Sequence, residues 1–267
     1  TIGNLTHAYN QAARGNGFLD EYVIDDATRA LILKYGDLCD DLHTDLHECL
    51  GHGSGQLLPG VSADALGAYG STIEEARADL FGLYYIADAK LVELGLVPDA
   101  DAYRSQYYTY LMNGLMTQLT RIKPGHEIEE AHMRNRALVA RWTLANYHSA
   151  LSLTQKDGKT YLQVNDYELL RQAFATLLAE IQRIKSEGDF DGARSMVEQY
   201  AIHVDSVLHE EMLERYAKLG IAPYKGFLNP HMTLEQSADG TITDVRLDYS
   251  ETYEHQMLRY SSEYGYL

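Results

Sequence analysis

His47 and His52 stand five residues apart in the run His47-Glu48-Cys49-Leu50-Gly51-His52, which closes an amphipathic helical pattern. On a helix of about 3.6 residues per turn, positions i and i+4 lie about 40° apart, whereas i and i+5 lie roughly 140° apart. Two imidazoles so spaced meet at one point only if the helix absorbs an extra residue, as a single-turn π-bulge does; such bulges gather at functional sites. Gly51, directly before the second histidine, is the residue type that best tolerates the distortion. Taken alone, the spacing favours surface histidines or satisfied core histidines. Glu48 between them, and a second run Glu74-Glu75-Ala76-Arg77-Ala78-Asp79, reverse that preference. Imidazole and carboxylate are the usual ligands of a catalytic zinc, which keeps one position open for water. A neighbouring carboxylate is the usual base for that water. The pattern points to metal-assisted hydrolysis, with one Zn(2+) per chain.

The rest of the chain reads as mainly helical. Residues 1–24 suggest a short helix, a Gly15-Asn16-Gly17 turn and an extended entry; Asp25-Asp26 can then cap the next helix. Leu38, Leu42, Leu46 and Leu50 recur every four residues and predict a buried stripe, with His47 bordering it and facing a cleft. His43, one turn before His47, reads as a surface histidine or as support for the site rather than as a ligand. Cys49 reads as a small buried residue. Gly51, Gly53 and Gly55 end this helix, and a capping-box pattern (Ser71 with Glu74, or Thr72 with Glu75) predicts the next over 72–88. Glu75 and Asp79, four apart, share a face of it. Further helices are expected over 99–121, 127–147, 166–186, 190–202 and 204–219. Hairpins are expected around Asp157-Gly158 and Asp239-Gly240, with an irregular stretch over 223–230 and a Tyr-rich tail. His203 and His209 read as structural.

Composition removes several classes of function. With 39 acidic against 22 basic side chains, a net charge of −17, nucleic acid and anionic membrane surfaces are not expected partners. Two cysteines, Cys39 and Cys49, rule out a disulfide framework and favour a reducing compartment, so a cytoplasmic location is expected. No apolar run approaches transmembrane length. The start at Thr1 reads as a cut in a longer protein.

HECLGH followed by EEARAD resembles the paired signature of the dipeptidyl peptidase III metallopeptidases, HExxGH and EExRA followed by an acid. Gly53-Ser54-Gly55, Gly82-Leu83-Tyr84 and Ala131-His132-Met133 agree with the same family. The resemblance implies His47, His52 and Glu75 as zinc ligands, with Glu48 as general base. It also implies Glu74 and Asp79 as carboxylates that hold the ligand histidines by their other ring nitrogens. His132 would donate to the oxyanion formed on the substrate carbonyl. Arg136, one turn on, is a candidate for holding either a substrate carboxylate or an acid that supports the site. The implied fold is a helical, zinc-bearing catalytic lobe with short β-hairpins over residues 1–267, one lobe of a two-lobed peptidase. The family's largely β N-terminal lobe would be missing. The implied activity is release of dipeptides from the N-terminus of short oligopeptides. The alternative is a zinc-containing helical module that binds peptides or a partner protein with little or no turnover.

Overall fold

Asp25 opens the first long helix: its backbone is extended and its carboxylate accepts from Thr28 N, satisfying a free N–H of the first turn. The structure, a computed structural model, describes residues 15–221 and 229–265. The predicted helix before residue 15 and most of the 223–230 stretch lie outside the described residues. Two compact units are distinguished, Leu19–Lys218 and a smaller one of residues 1–18 and 219–267.

In the larger unit the order is α1 (Phe18–Tyr22), α2 (Asp26–Leu46), a π-helical turn (His47–His52), a 3-10 turn (Gly67–Tyr69), α3 (Gly70–Ile86) and α4 (Ala89–Glu93). After α5 (Tyr103–Leu115) and a 3-10 turn (Thr117–Arg121) come α6 (Ala131–Asn146), β1 (Leu151–Lys156) and β2 (Lys159–Val164). The unit closes with α7 (Tyr167–Glu187), α8 (Phe190–Tyr200) and α9 (Ser206–Leu219). The mainly α fold is as expected. Helix α1 replaces the predicted extended entry, and the 99–121 helix is broken at Met116, where φ reaches −131°.

Helix α3 is the centre of this unit. It packs against α2, the π-turn, α6 and α7. Ile73, Ala76, Ala78, Leu80, Leu83 and Ile86 are buried around most of its circumference, as in a core helix rather than a surface one. Its small residues let neighbours approach closely. A Cβ at Gly82 would stand 2.8 Å from the His43 ring of α2, so the glycine makes room for that imidazole. Helix α7 lays Leu170, Phe174, Leu177, Ile181 and Ile184 into the core at spacings of three and four. Each such side chain contributes about 1.5–3 kcal/mol when fully buried.

Three sequence expectations fail here. On α2 the buried residues are Ile32, Tyr35, Cys39, His43 and Leu46, while Leu38 and Leu50 are exposed. Helix α3 starts at Gly70 without a side-chain cap, so Ser71 and Thr72 lie inside its first turn, and Glu74 binds other partners described below. Cys49 is exposed, on the outer side of the π-turn.

The β1–β2 hairpin turns at Asp157-Gly158, both at positive φ, the two-residue turn that the pair predicts. Buried Arg215 of α9 fastens it: its guanidinium lies between the Tyr22 and Tyr161 rings and donates to Thr160 O, Glu21 and Glu211. In the smaller unit, β3 (His231–Gln236) pairs antiparallel with β4 (Ile242–Asp248), with an irregularity at Glu235/Gln236. The tail is helical, α10 (Tyr253–Tyr264), capped by Thr252. Among the described residues, no helix is long and apolar enough to cross a membrane.

Candidate metal centre

The turn His47–His52 is π-helical throughout, and Gly53 N donates to Glu48 O across five residues at 3.3 Å. This is the one-residue expansion that the histidine spacing requires. It brings the two imidazoles edge to face with centroids 4.6 Å apart. The turn lies directly on α3. A Cβ at Gly51 would stand 2.6 Å from Ala78 Cα and 2.7 Å from Ala78 Cβ, so only glycine fits. Gly51→Ala is therefore expected to lower the unfolding free energy by about 1–3 kcal/mol. It should also weaken metal binding, since the obstructing backbone of α3 cannot step aside. Denaturant unfolding and metal titration of the same variant measure both; an alanine chain matching the parent in both would refute the close-packing argument.

Helix α3 brings three carboxylates to the two histidines. Asp79 Oδ1 lies 2.7 Å from His47 Nδ1, and Glu74 Oε1 lies 2.8 Å from His52 Nδ1. Each ring is thus gripped at Nδ1, which leaves Nε2 as the nitrogen available to an ion. Glu75 Oε2 faces both Nε2 atoms, 3.4 Å from that of His47 and 3.8 Å from that of His52. That oxygen is buried and accepts no hydrogen bond. Donor atoms 2.0–2.1 Å from a tetrahedral ion stand about 3.3 Å apart. The three atoms, all within 4.8 Å of one another, fit a zinc ion.

A second group of potential ligands, His43, His47 and Asp79, also converges. Its converging atoms are already paired by hydrogen bonds: Asp79 takes His47 Nδ1, His43 Nε2 at 3.2 Å and the Tyr110 hydroxyl at 2.8 Å, while the other His43 nitrogen, Nδ1, is buried without a hydrogen bond. His43 is thus a buried support of the site. Burial alone would push the Asp79 carboxyl up, but hydrogen bonds from His43 and His47 hold it far below the usual carboxylate range. Burial opposes charge on His47, yet Asp79, with Glu75 and Glu48, raises it above its ordinary value. Burial and the Asp79 charge push the Tyr110 hydroxyl well above its own. For Glu74, burial is outweighed by Arg77, Lys185 and His52, which bring its carboxyl down to about 2.

His132, in the first turn of α6, places Nδ1 3.2 Å from Glu75 Oε2. A cavity of about 430 Å³ is lined by His47, Glu48, Tyr110, Arg121, His132 and Arg136 among others. Glu48 is exposed and lines this space together with His47. A second cavity, of about 570 Å³, borders His52, Glu74 and Lys185. The structure thus gathers all eight residues singled out in the sequence around this centre. Sequence reasoning missed Tyr110 and Arg121, which come from α5 and the 3-10 turn after it with no local motif. It also missed the role of Arg77, which is fully buried and donates to Gly51 O at 2.7 Å as well as to Glu74. His209 is structural as expected, bonded to Ile122 O, while His203 is an exposed partner of Glu127.

Residues 60–255 match the model of peptidase family M49. The chain belongs to that family. The match includes the α3 carboxylates and His132 and begins after the π-turn. Among curated proteins, human dipeptidyl peptidase 3 is 26% identical over 77% of this chain and 33% of its own length. Mouse dipeptidyl peptidase 3 is 25% identical over the same shares. The chain therefore spans about one third of the curated relatives it matches. Two solved structures share the fold. DPP III from Caldithrix abyssi has a TM-score of 0.61 and 24% identity, covering 82% of this chain and 38% of that one. The dipeptidyl-peptidase III of Corallococcus sp. strain EGB has a TM-score of 0.60 and 22% identity, covering 80% and 37%.

Proposed function

We propose that this member of family M49 is a zinc-dependent exopeptidase that releases dipeptides from the N-terminus of short oligopeptides. The observation that carries the metal part is the convergence of two imidazole Nε2 atoms on a buried carboxylate oxygen without a hydrogen bond. The dipeptide specificity rests on the dipeptidyl peptidase 3 relatives. His47, His52 and Glu75 would hold the ion, with Asp79 and Glu74 fixing the histidine tautomers. Zinc held by these residues would supply Lewis acidity to the attacking water and the scissile carbonyl. Glu48, at the cavity wall, takes the proton of the attacking water and returns it to the leaving amine. His132, beside Glu75, donates a hydrogen bond to the carbonyl oxygen as it gains negative charge. Arg136 offers a fork of donors to a substrate carboxylate. Oligopeptides are the proposed partners, and the two free cysteines fit a reducing, cytoplasmic setting.

The second reading, a zinc-containing peptide- or protein-binding module without turnover, draws support from the one-third coverage of the relatives. Metal analysis and mass spectrometry of oligopeptides incubated with the zinc-loaded chain separate the two. One zinc per chain, lost in His47→Ala, is the expected result, with products shortened by two residues from the N-terminus. Zinc without any cleavage favours the binding module. Zinc retained in full by His47→Ala sinks the ligand assignment.

A further inference from the structure

Glu74 is held more firmly than a carboxylate that merely orients a histidine requires. Its Oε1 faces His52 Nδ1 and takes Arg77 Nη2 at 2.9 Å; its Oε2 takes Arg77 Nε at 3.0 Å and Lys185 Nζ. Arg77 and Glu74 both belong to α3, three residues apart, so their pairing is internal to one helix. Lys185 comes from the last turn of α7, 111 residues along the chain. The same turn of α7 also holds the segment that follows His52. Ser186 Oγ donates to Gln56 O at 2.8 Å, and Leu58 N donates to Ser186 O at 2.8 Å. Gln182, one turn earlier, accepts from Arg77 and donates to Ser186 Oγ. The C-terminal end of α7 thus grips both the carboxylate behind His52 and the backbone beyond it.

We propose that Lys185 is a positioning residue for the metal centre: it anchors Glu74 to α7 and thereby fixes the orientation of His52. The proposal rests on the assignment of His52 as a zinc ligand. The two histidines then differ in how they are supported. Asp79, behind His47, is buried and takes its other hydrogen bonds from His43 and Tyr110. Glu74, behind His52, is partly exposed, and two cations from different helices hold it. A lysine is a point charge on a flexible stem, so what it supplies is charge and a tether rather than a fixed fork. Removing it leaves the Glu74 carboxylate to Arg77 and His52, with Oε2 no longer tied directly to α7. The acceptor that sets the His52 tautomer and ring angle is then held by one cation instead of two.

Lys185→Met tests this, with Lys185→Arg as the conservative variant and Lys90→Met, an exposed lysine on α4, as control. Zinc affinity is measured by competition with a chromophoric chelator, and the ligand geometry by the visible spectrum of the cobalt-loaded chain. Supporting groups of this kind typically change metal affinity about 10–100-fold. Lys185→Met is expected to bind zinc weaker by that factor with an altered cobalt spectrum, while its metal-free helix content stays at the parent level. Lys185→Arg is expected to recover most of the affinity, and Lys90→Met to match the parent. Parent-level affinity and spectrum in Lys185→Met would overturn the proposal. So would a variant that loses its fold without metal and is not restored by arginine, since the lysine would then be a structural tie. If only the methionine variant fails to fold, Lys185→Gln is read by the same two measurements. Failure of the underlying ligand assignment looks different: the parent chain would then bind zinc no better than His52→Ala.

Discussion

Replacing Glu48 with glutamine is expected to leave the metal content unchanged and to lower peptide hydrolysis by about 10²–10⁴-fold, the usual contribution of a positioned general base. The structure separates the two roles. Glu48 sits one residue from His47 yet is exposed, lines the cavity shared with His132 and Arg136, and makes no hydrogen bond to the ligand cluster. The metal-facing atoms come instead from His47, His52 and Glu75. Glutamine keeps the size and loses only the capacity to take a proton, so affinity for the ion should hold while the rate falls. Metal stoichiometry and turnover are read on the same sample, in a full-length family member carrying the matching substitution if the turnover of this chain is too low. Loss of metal together with activity would make Glu48 a structural residue of the π-turn and remove the proposed base.

A polypeptide of these 267 residues alone is expected to bind one zinc and to hydrolyse peptides at least several hundredfold more slowly than full-length dipeptidyl peptidase 3. The ligands and their supports lie on the π-turn and on α2, α3, α5 and α7, all within the Leu19–Lys218 unit, so the metal centre is self-contained. Rate acceleration needs more than an ion. Holding a substrate with its carbonyl at the reacting position contributes roughly 7–11 kcal/mol, and this chain covers only 33% of the length of human dipeptidyl peptidase 3. A cleft wall supplied by the rest of such a protein would add to that positioning and keep out water, which weakens electrostatic contacts. Side-by-side assays on one oligopeptide decide the matter. Comparable turnover by the 267-residue polypeptide would show that these residues already hold the whole catalytic apparatus.

The parts of the site written within a few residues of one another were legible in the sequence. The five-residue histidine spacing dictated a π-turn, and the structure has one from His47 to His52. Hairpins at Asp157-Gly158 and Asp239-Gly240 followed from turn chemistry, and helices α7, α8 and α9 lie within two residues of their predicted bounds. The leucine stripe failed for a geometric reason. Steps of four advance about 40° each on a helix, so Leu38 and Leu50 stand about 120° apart and cannot share a buried face. The residues actually buried, Ile32, Tyr35, Cys39, His43 and Leu46, mix steps of three and four and stay in line. The capping box failed because the helix begins at Gly70, which puts Ser71 and Thr72 inside its first turn rather than at the cap, and Glu74 turns to His52, Arg77 and Lys185. Tyr110 and Lys185 were illegible because their partners lie 31 and 111 residues away, joined only by packing.

The π-turn has a consequence for helical phase. An extra residue in the middle of a helix rotates everything after it by about 100°, and any buried face downstream would then point the wrong way. Here the helix stops as soon as the extra residue has been absorbed: Gly53 closes the turn onto Glu48 O, and no helical segment follows until Gly67. There is no downstream face to misalign, so the slip is confined to the six residues that use it. Phase is unforgiving on the other side. Adding or removing one residue within Asp26–Leu46 would turn the π-turn relative to the rest of α2. His47 would swing away from Asp79, and Gly51 would leave its seat on Ala78. The histidines thus take their phase from α2 and the carboxylates take theirs from α3, and the glycine-rich stretch between the two carries no helical phase from one to the other.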